Sequence, residues 1–94
     1  MLHEIKNTGK MFVLEQDGLR SYLVYRISGS AIEFTDAFVP PVHRGRGYAS
    51  ALILYGIHFA VMNGLLIKAS CPAAAEYLRR NPEWHYTLAI AEAV

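Results

Sequence analysis

The hydrophobic pattern of this chain changes character near residue 40. Before that point, short alternating stretches are separated by turn residues. Residues 3–7 and 11–15 read as two strands, with Asn7-Thr8-Gly9-Lys10 as the turn between them. Gln16-Asp17-Gly18 is a second turn. Residues 20–28 alternate, with Tyr22, Val24 and Arg26 on one face and Leu23, Tyr25 and Ile27 on the other. Ser28-Gly29-Ser30 turns the chain again, and residues 31–39 alternate as a fourth strand. Turns this short join antiparallel neighbours. Pro40-Pro41 cannot donate to a ladder and ends the run.

Beyond the prolines the period is helical. Ala49, Leu52, Ile53, Gly56, Phe59, Ala60 and Asn63 recur at three- and four-residue steps, which predicts a largely buried helix over 46–63. Residues 65–69 predict a compact strand. Residues 72–80 predict a second helix with Pro72 in its first turn, ended by Asn81-Pro82. Alternation over 84–90 predicts a last strand. The expected fold is α+β, one small domain over residues 1–94. Its mixed sheet is an antiparallel β meander followed by β-α-β-α-β. The helical crossover should make the fourth and fifth strands parallel neighbours.

Composition fits this picture and removes several function classes. A chain of 94 residues buries only about 60–65% of its unfolded surface, so its apolar share must be high. It is 53%, and only 18% of residues are charged, which excludes a disordered, charge-rich chain. The formal net charge of +1 argues against a nucleic-acid-binding module and excludes a polybasic membrane arm. A single cysteine, Cys71, cannot staple the fold. With His3, His43, His58 and His85 scattered along the chain, it builds no structural zinc site, and no metal is expected. The N-terminus lacks a basic segment ahead of an apolar run, so no signal peptide is expected. Residues 47–67 carry no charge and approach the length of a membrane span. Ser50, Tyr55, Gly56, His58 and Asn63 interrupt them, so a buried helix and strand are expected instead, and with them a cytoplasmic location.

The chemically suggestive segment is Val39-Pro40-Pro41-Val42-His43-Arg44-Gly45-Arg46-Gly47-Tyr48-Ala49. A strand ends, a basic glycine-bearing turn follows, and a buried helix begins. The first amides of a helix lack internal partners and its dipole favours anions there, so this is the design of a phosphate site. The P-loop spacing is absent. The dinucleotide fingerprint is broken by Ser50 at its third glycine and by Ile67-Lys68 where an acidic ribose ligand is needed.

Arg44-x-x-Gly47-x-Ala49 matches the Arg/Gln-x-x-Gly-x-Gly/Ala signature of the GNAT superfamily of N-acetyltransferases. The element order also resembles that fold without its usual two N-terminal helices. The Val39-Pro40-Pro41 run with its basic turn, followed by Cys71-Pro72, Tyr77-Leu78, Arg80 and Pro82-Glu83, is similar to the minimal acetyltransferase-like family within it. The resemblance implies acetyl-CoA as cofactor, with the pyrophosphate on the amides of residues 44–49 and the pantetheine arm between the fourth and fifth strands. On this chain those positions are Phe38, Val39, His43, Arg44, Gly45, Arg46, Gly47, Tyr48 and Ala49. His43 either touches a phosphate or faces water.

The resemblance also implies catalytic roles. The family carries a cysteine at Cys71, proposed to act in acyl transfer. At the start of the second helix the dipole would lower a thiol pKa, although a free cysteine there is more often a small buried residue. Tyr77 resembles the tyrosine that protonates the departing thiolate; its alternative role is packing on the sheet. The family's histidine three residues before the Val-Pro pair is here Asp36, and its histidine before Pro-Glu is Asn81. Asp36 replaces the base only where burial raises its pKa, and Glu33, sharing strand parity with Ala37, is a second carboxylate. The implied function is transfer of an acetyl group from CoA to an amine on a small molecule or protein. The alternative is a CoA-binding or protein-interaction module, with the apolar helix turned to a partner or to a second copy in a homodimer.

Overall fold

Three tight turns set the first half of the fold. In the computed structural model, which describes residues 4–89, the strands are β1 (Ile5–Asn7), β2 (Met11–Gln16), β3 (Leu19–Ser28) and β4 (Ala31–Phe38). Each pairs antiparallel with the next. Asp17 (φ 54°) and Gly18 (φ 75°) make the two-residue β2–β3 turn, the positive-φ geometry that Asp-Gly favours. Helix α1 (Tyr48–Met62) crosses back to β5 (Leu66–Ala69), which pairs parallel with β4, as the crossover requires. The sheet order is β1-β2-β3-β4-β5. Helix α2 (Pro72–Arg80) follows, with 3₁₀ segments over Pro41–His43 and Pro82–Thr87.

The core joins Phe12, Leu14, Leu23, Ile32 and Phe34 of the sheet to Leu52, Ile53 and Ile57 of α1 and to Ala74 and Leu78 of α2. Gly56 allows the close approach of α1: a Cβ there would stand 2.8 Å from the Phe34 ring. The end of α1 is a Schellman motif. Leu65 N–H reaches the Ala60 carbonyl (2.8 Å) and Gly64 N–H the Val61 carbonyl (3.3 Å), with Gly64 at φ 66°. Among the described residues, no helix is long and apolar enough to cross a membrane.

Two expectations change. The last strand over 84–90 is instead the 3₁₀ segment Pro82–Thr87. Trp84 N–H bonds the Asn81 carbonyl (3.1 Å), and the Thr87 hydroxyl bonds the Trp84 carbonyl (2.5 Å). The Trp84 ring meets His58 of α1 edge-on at 5.3 Å. Of that strand only a parallel bridge from Leu88 to Ile67 remains, and residue 90 lies outside the described residues, as does residue 3 of the expected first strand.

The second change is in β4. Tyr25 pairs with Phe34, but Val24 pairs with Asp36, so Thr35 is an extra residue, a β-bulge. Beyond it the faces exchange. Ala37 pairs with buried Leu23, while Phe38 pairs with Tyr22 on the opposite face, where the two rings stack at 5.5 Å. Glu33 and Ala37 therefore do not share a face.

Candidate functional site

The bulge lies where β4 and β5 part. Their pairing ends at Phe34 and Ala69, and the Phe34 carbonyl accepts N–H bonds from both Ser70 and Cys71 at 3.0 Å. The chain then turns into α2, while β4 runs on to Phe38. Beside this opening is a groove of about 410 Å³, lined by Ala37, Phe38, Val39, His43, Arg44, Gly45, Gly47, Tyr48, Ala49, Ser50 and Ala73. It shares Ala49, Ser50 and Ala73 with a smaller cavity of about 180 Å³ between α1 and α2, which Tyr77 also lines. The two adjoin along those three residues, the first at the start of α1 and the second at Tyr77.

The loop before α1 has the local design of an anion site. Gly45 (φ 82°) and Gly47 (φ 83°) are both left-handed, and an added Cβ would meet nothing within 4 Å at either. Gly47 caps α1 without a side-chain bond, and the ladder begins with Ala51 N–H to the Gly47 carbonyl (3.0 Å). The amides of Ala49 and Ser50 precede that bond and have no carbonyl four residues back in the helix. No acidic residue stands in the first turn of α1. Arg44 Nε donates to the Val39 carbonyl (3.0 Å), which ties the loop to the end of β4. Arg46 is exposed and does not line the groove.

Of the two roles expected for His43, facing water is not what the structure shows. The residue is 1% exposed, its Nε2 lies 3.2 Å from Asp17 Oδ2, and its ring meets Tyr48 edge-on at 5.3 Å. Its Nδ1 is buried without a hydrogen-bond partner. Sequence reasoning missed Asp17, because nothing local links a hairpin turn to a loop 26 residues on. The antiparallel pairing of β3 with β4 brings them together. Groove residues Ala37, Ser50 and Ala73 were also missed; they come from β4, α1 and α2 and meet only in the folded chain.

The catalytic candidates are dispersed. Cys71 is 3% exposed and caps α2, its sulfur accepting the Ala74 N–H at 3.4 Å. Tyr77 is half-buried; burial and then the nearby Glu83 carboxylate push its phenol above the usual tyrosine range. Asp36 is exposed, pairs across from Val24 and lines neither cavity. Glu33 accepts from the Ser70 hydroxyl and from Arg26 (2.6 Å), and these bonds hold its carboxyl below the ordinary range. Asn81 caps the end of α2, its side-chain amide donating to the Tyr77 carbonyl at 2.7 Å.

An open helix start and two left-handed glycines without Cβ obstruction fit a phosphate-bearing ligand. Comparison with curated proteins found no match. A family model described as GCN5-related N-acetyl-transferase matches residues 11–87, a span that holds the loop, the bulge, both helices and Tyr77. The chain therefore belongs to the GCN5-related N-acetyl-transferase family.

Proposed function

We propose that the protein is an acetyl-CoA-dependent N-acyltransferase that moves an acetyl group to an amine. The observation that carries this reading is the pair of adjoining cavities, one at the glycine-bearing start of α1 and one lined by Tyr77. When bound, acetyl-CoA supplies the acyl group as a thioester that an amine attacks. The loop and helix-start amides from Gly45 to Ala49, with the Arg44 and Arg46 cations, would hold the pyrophosphate. The parted end of β4 at Phe38 and Val39 would take the pantetheine arm. Tyr77, a phenol that holds its proton at neutral pH as any tyrosine does, stands at the smaller cavity and would donate that proton to the departing thiolate. Asp36 is exposed on the sheet face opposite the core and lines neither cavity, so the burial that would make it the base is absent, and the ammonium proton passes to solvent water instead. Cys71 caps α2 rather than acting as nucleophile, since its sulfur is buried and already accepts a backbone bond.

A thermal-shift series with CoA, acetyl-CoA and dephospho-CoA, followed by labelled acetyl transfer to an amine panel, tests this. CoA and acetyl-CoA should raise Tm. Tyr77→Phe should lower kcat by about 10²-fold, the lower end for general-acid catalysis, while Cys71→Ala retains activity and acquires no acetyl label. Absence of any shift would remove the reading. A second reading, a CoA-binding module without robust catalysis, is favoured by one observation: neither β4 carboxylate lines the groove. It predicts a full CoA shift with no amine acetylated.

A further inference from the structure

We propose that Asp17 and His43 are a positioning pair that holds the anion-binding loop in its binding shape; this rests on the cofactor reading above. His43 ends the 3₁₀ turn and leads directly into the two-glycine loop. Its imidazole reaches back to the β2–β3 turn through Asp17 and forward to Tyr48, the first residue of α1. One ring thus connects the hairpin to both ends of the loop.

Chemistry favours a positioning part over simple packing. A leucine would fill a buried position without leaving a nitrogen unpaired, whereas His43 Nδ1 is buried with no partner. What the imidazole adds is its bond to Asp17. An ionised carboxylate only accepts, so Nε2 carries the proton and donates it. Asp17 is 64% exposed at its side chain, so this end of the pair can be removed without opening the core. A loop with two left-handed glycines has many competing conformations when untethered. Restricting them before binding raises affinity without adding a contact.

The test compares Asp17→Ala, Asp17→Asn and His43→Leu with the unaltered protein. Backbone amide exchange of residues 44–49 is read in the free protein, and Kd for CoA and KM and kcat for acetyl-CoA in the loaded one. In Asp17→Ala and His43→Leu, loop exchange should quicken by about tenfold, and in His43→Leu, which leaves the β2–β3 turn intact, exchange should stay unchanged in β2 and β3. Kd and KM should rise by about three- to tenfold with kcat within about twofold, as loss of uniform binding predicts. Asp17→Asn keeps an accepting oxygen and should restore most of both. The pairing is overturned by unchanged loop exchange in both Asp17→Ala and His43→Leu, or by exchange that quickens equally across the whole sheet. Failure of the unaltered protein to bind CoA would remove the cofactor reading alone, since exchange in the free protein still decides the pair.

Discussion

Gly47 stands at φ 83° on the threshold of α1, in open space, so its only irreplaceable property is its backbone. An alanine there would carry left-handed strain of about 1–2 kcal/mol. If the loop relaxes to relieve it, CoA affinity should fall by about tenfold, which corresponds to about 1.4 kcal/mol. Gly9 is the control. It has φ 93° and equally open space but lies in the β1–β2 turn. Gly9→Ala should lower Tm while leaving CoA affinity untouched in calorimetry; equal affinity losses in both variants would count against the loop as the site. The loop was legible at this scale because glycine, arginine and helix period coincide in one short stretch. The Asp17–His43 bond was not, because its partners meet only through the sheet.

Elements were legible where a period is undisturbed. The meander and α1 follow from alternation and from three- and four-residue recurrence. Thr35 breaks the alternation of β4 and leaves no compositional trace, so parity put Glu33 and Ala37 on one face, where the structure separates them. The 84–90 segment misled differently: Trp84 and Thr87 are three apart, a 3₁₀ spacing hidden inside an apparent two-residue alternation. Helix-to-sheet packing is testable at Gly56. Gly56→Val would drive methyl groups into the Phe34 ring and should cost about 1–3 kcal/mol. A chain of this size loses about 4–8 °C of Tm per kcal/mol, so a calorimetric scan resolves it. In α2, hydrogen bonds from Arg79 and then Arg80 lower the Glu76 carboxyl to about 2. A lowered carboxyl pKa stabilises the fold above its unfolded value of 4.5, and that contribution is lost as pH falls toward about 2. The group is exposed, so the effect is small. The Tm gap between the unaltered protein and Glu76→Gln should be present near neutrality and close over that acidic window.

Across the whole molecule, the net charge of +1 conceals a division. Residues 37–75 hold Arg44, Arg46 and Lys68 and no carboxylate, so this stretch carries +3 and the rest of the chain −2. A small polyanion is suited to such a local field. Taking salt from about 0.1 to about 1 M shortens the Debye length from about 10 to about 3 Å. CoA affinity should weaken several-fold over that range, and salt-independent binding would argue against an electrostatic site. The single tryptophan gives the molecule a further property. Trp84 touches α1 at His58 and packs against the same core that the sheet shares. Its indole is therefore an intrinsic fluorophore, placed near the C-terminal end of the fold yet reporting on its centre. Emission and circular-dichroism melting curves should coincide, and separated curves would reveal that the last turn peels away before the sheet melts.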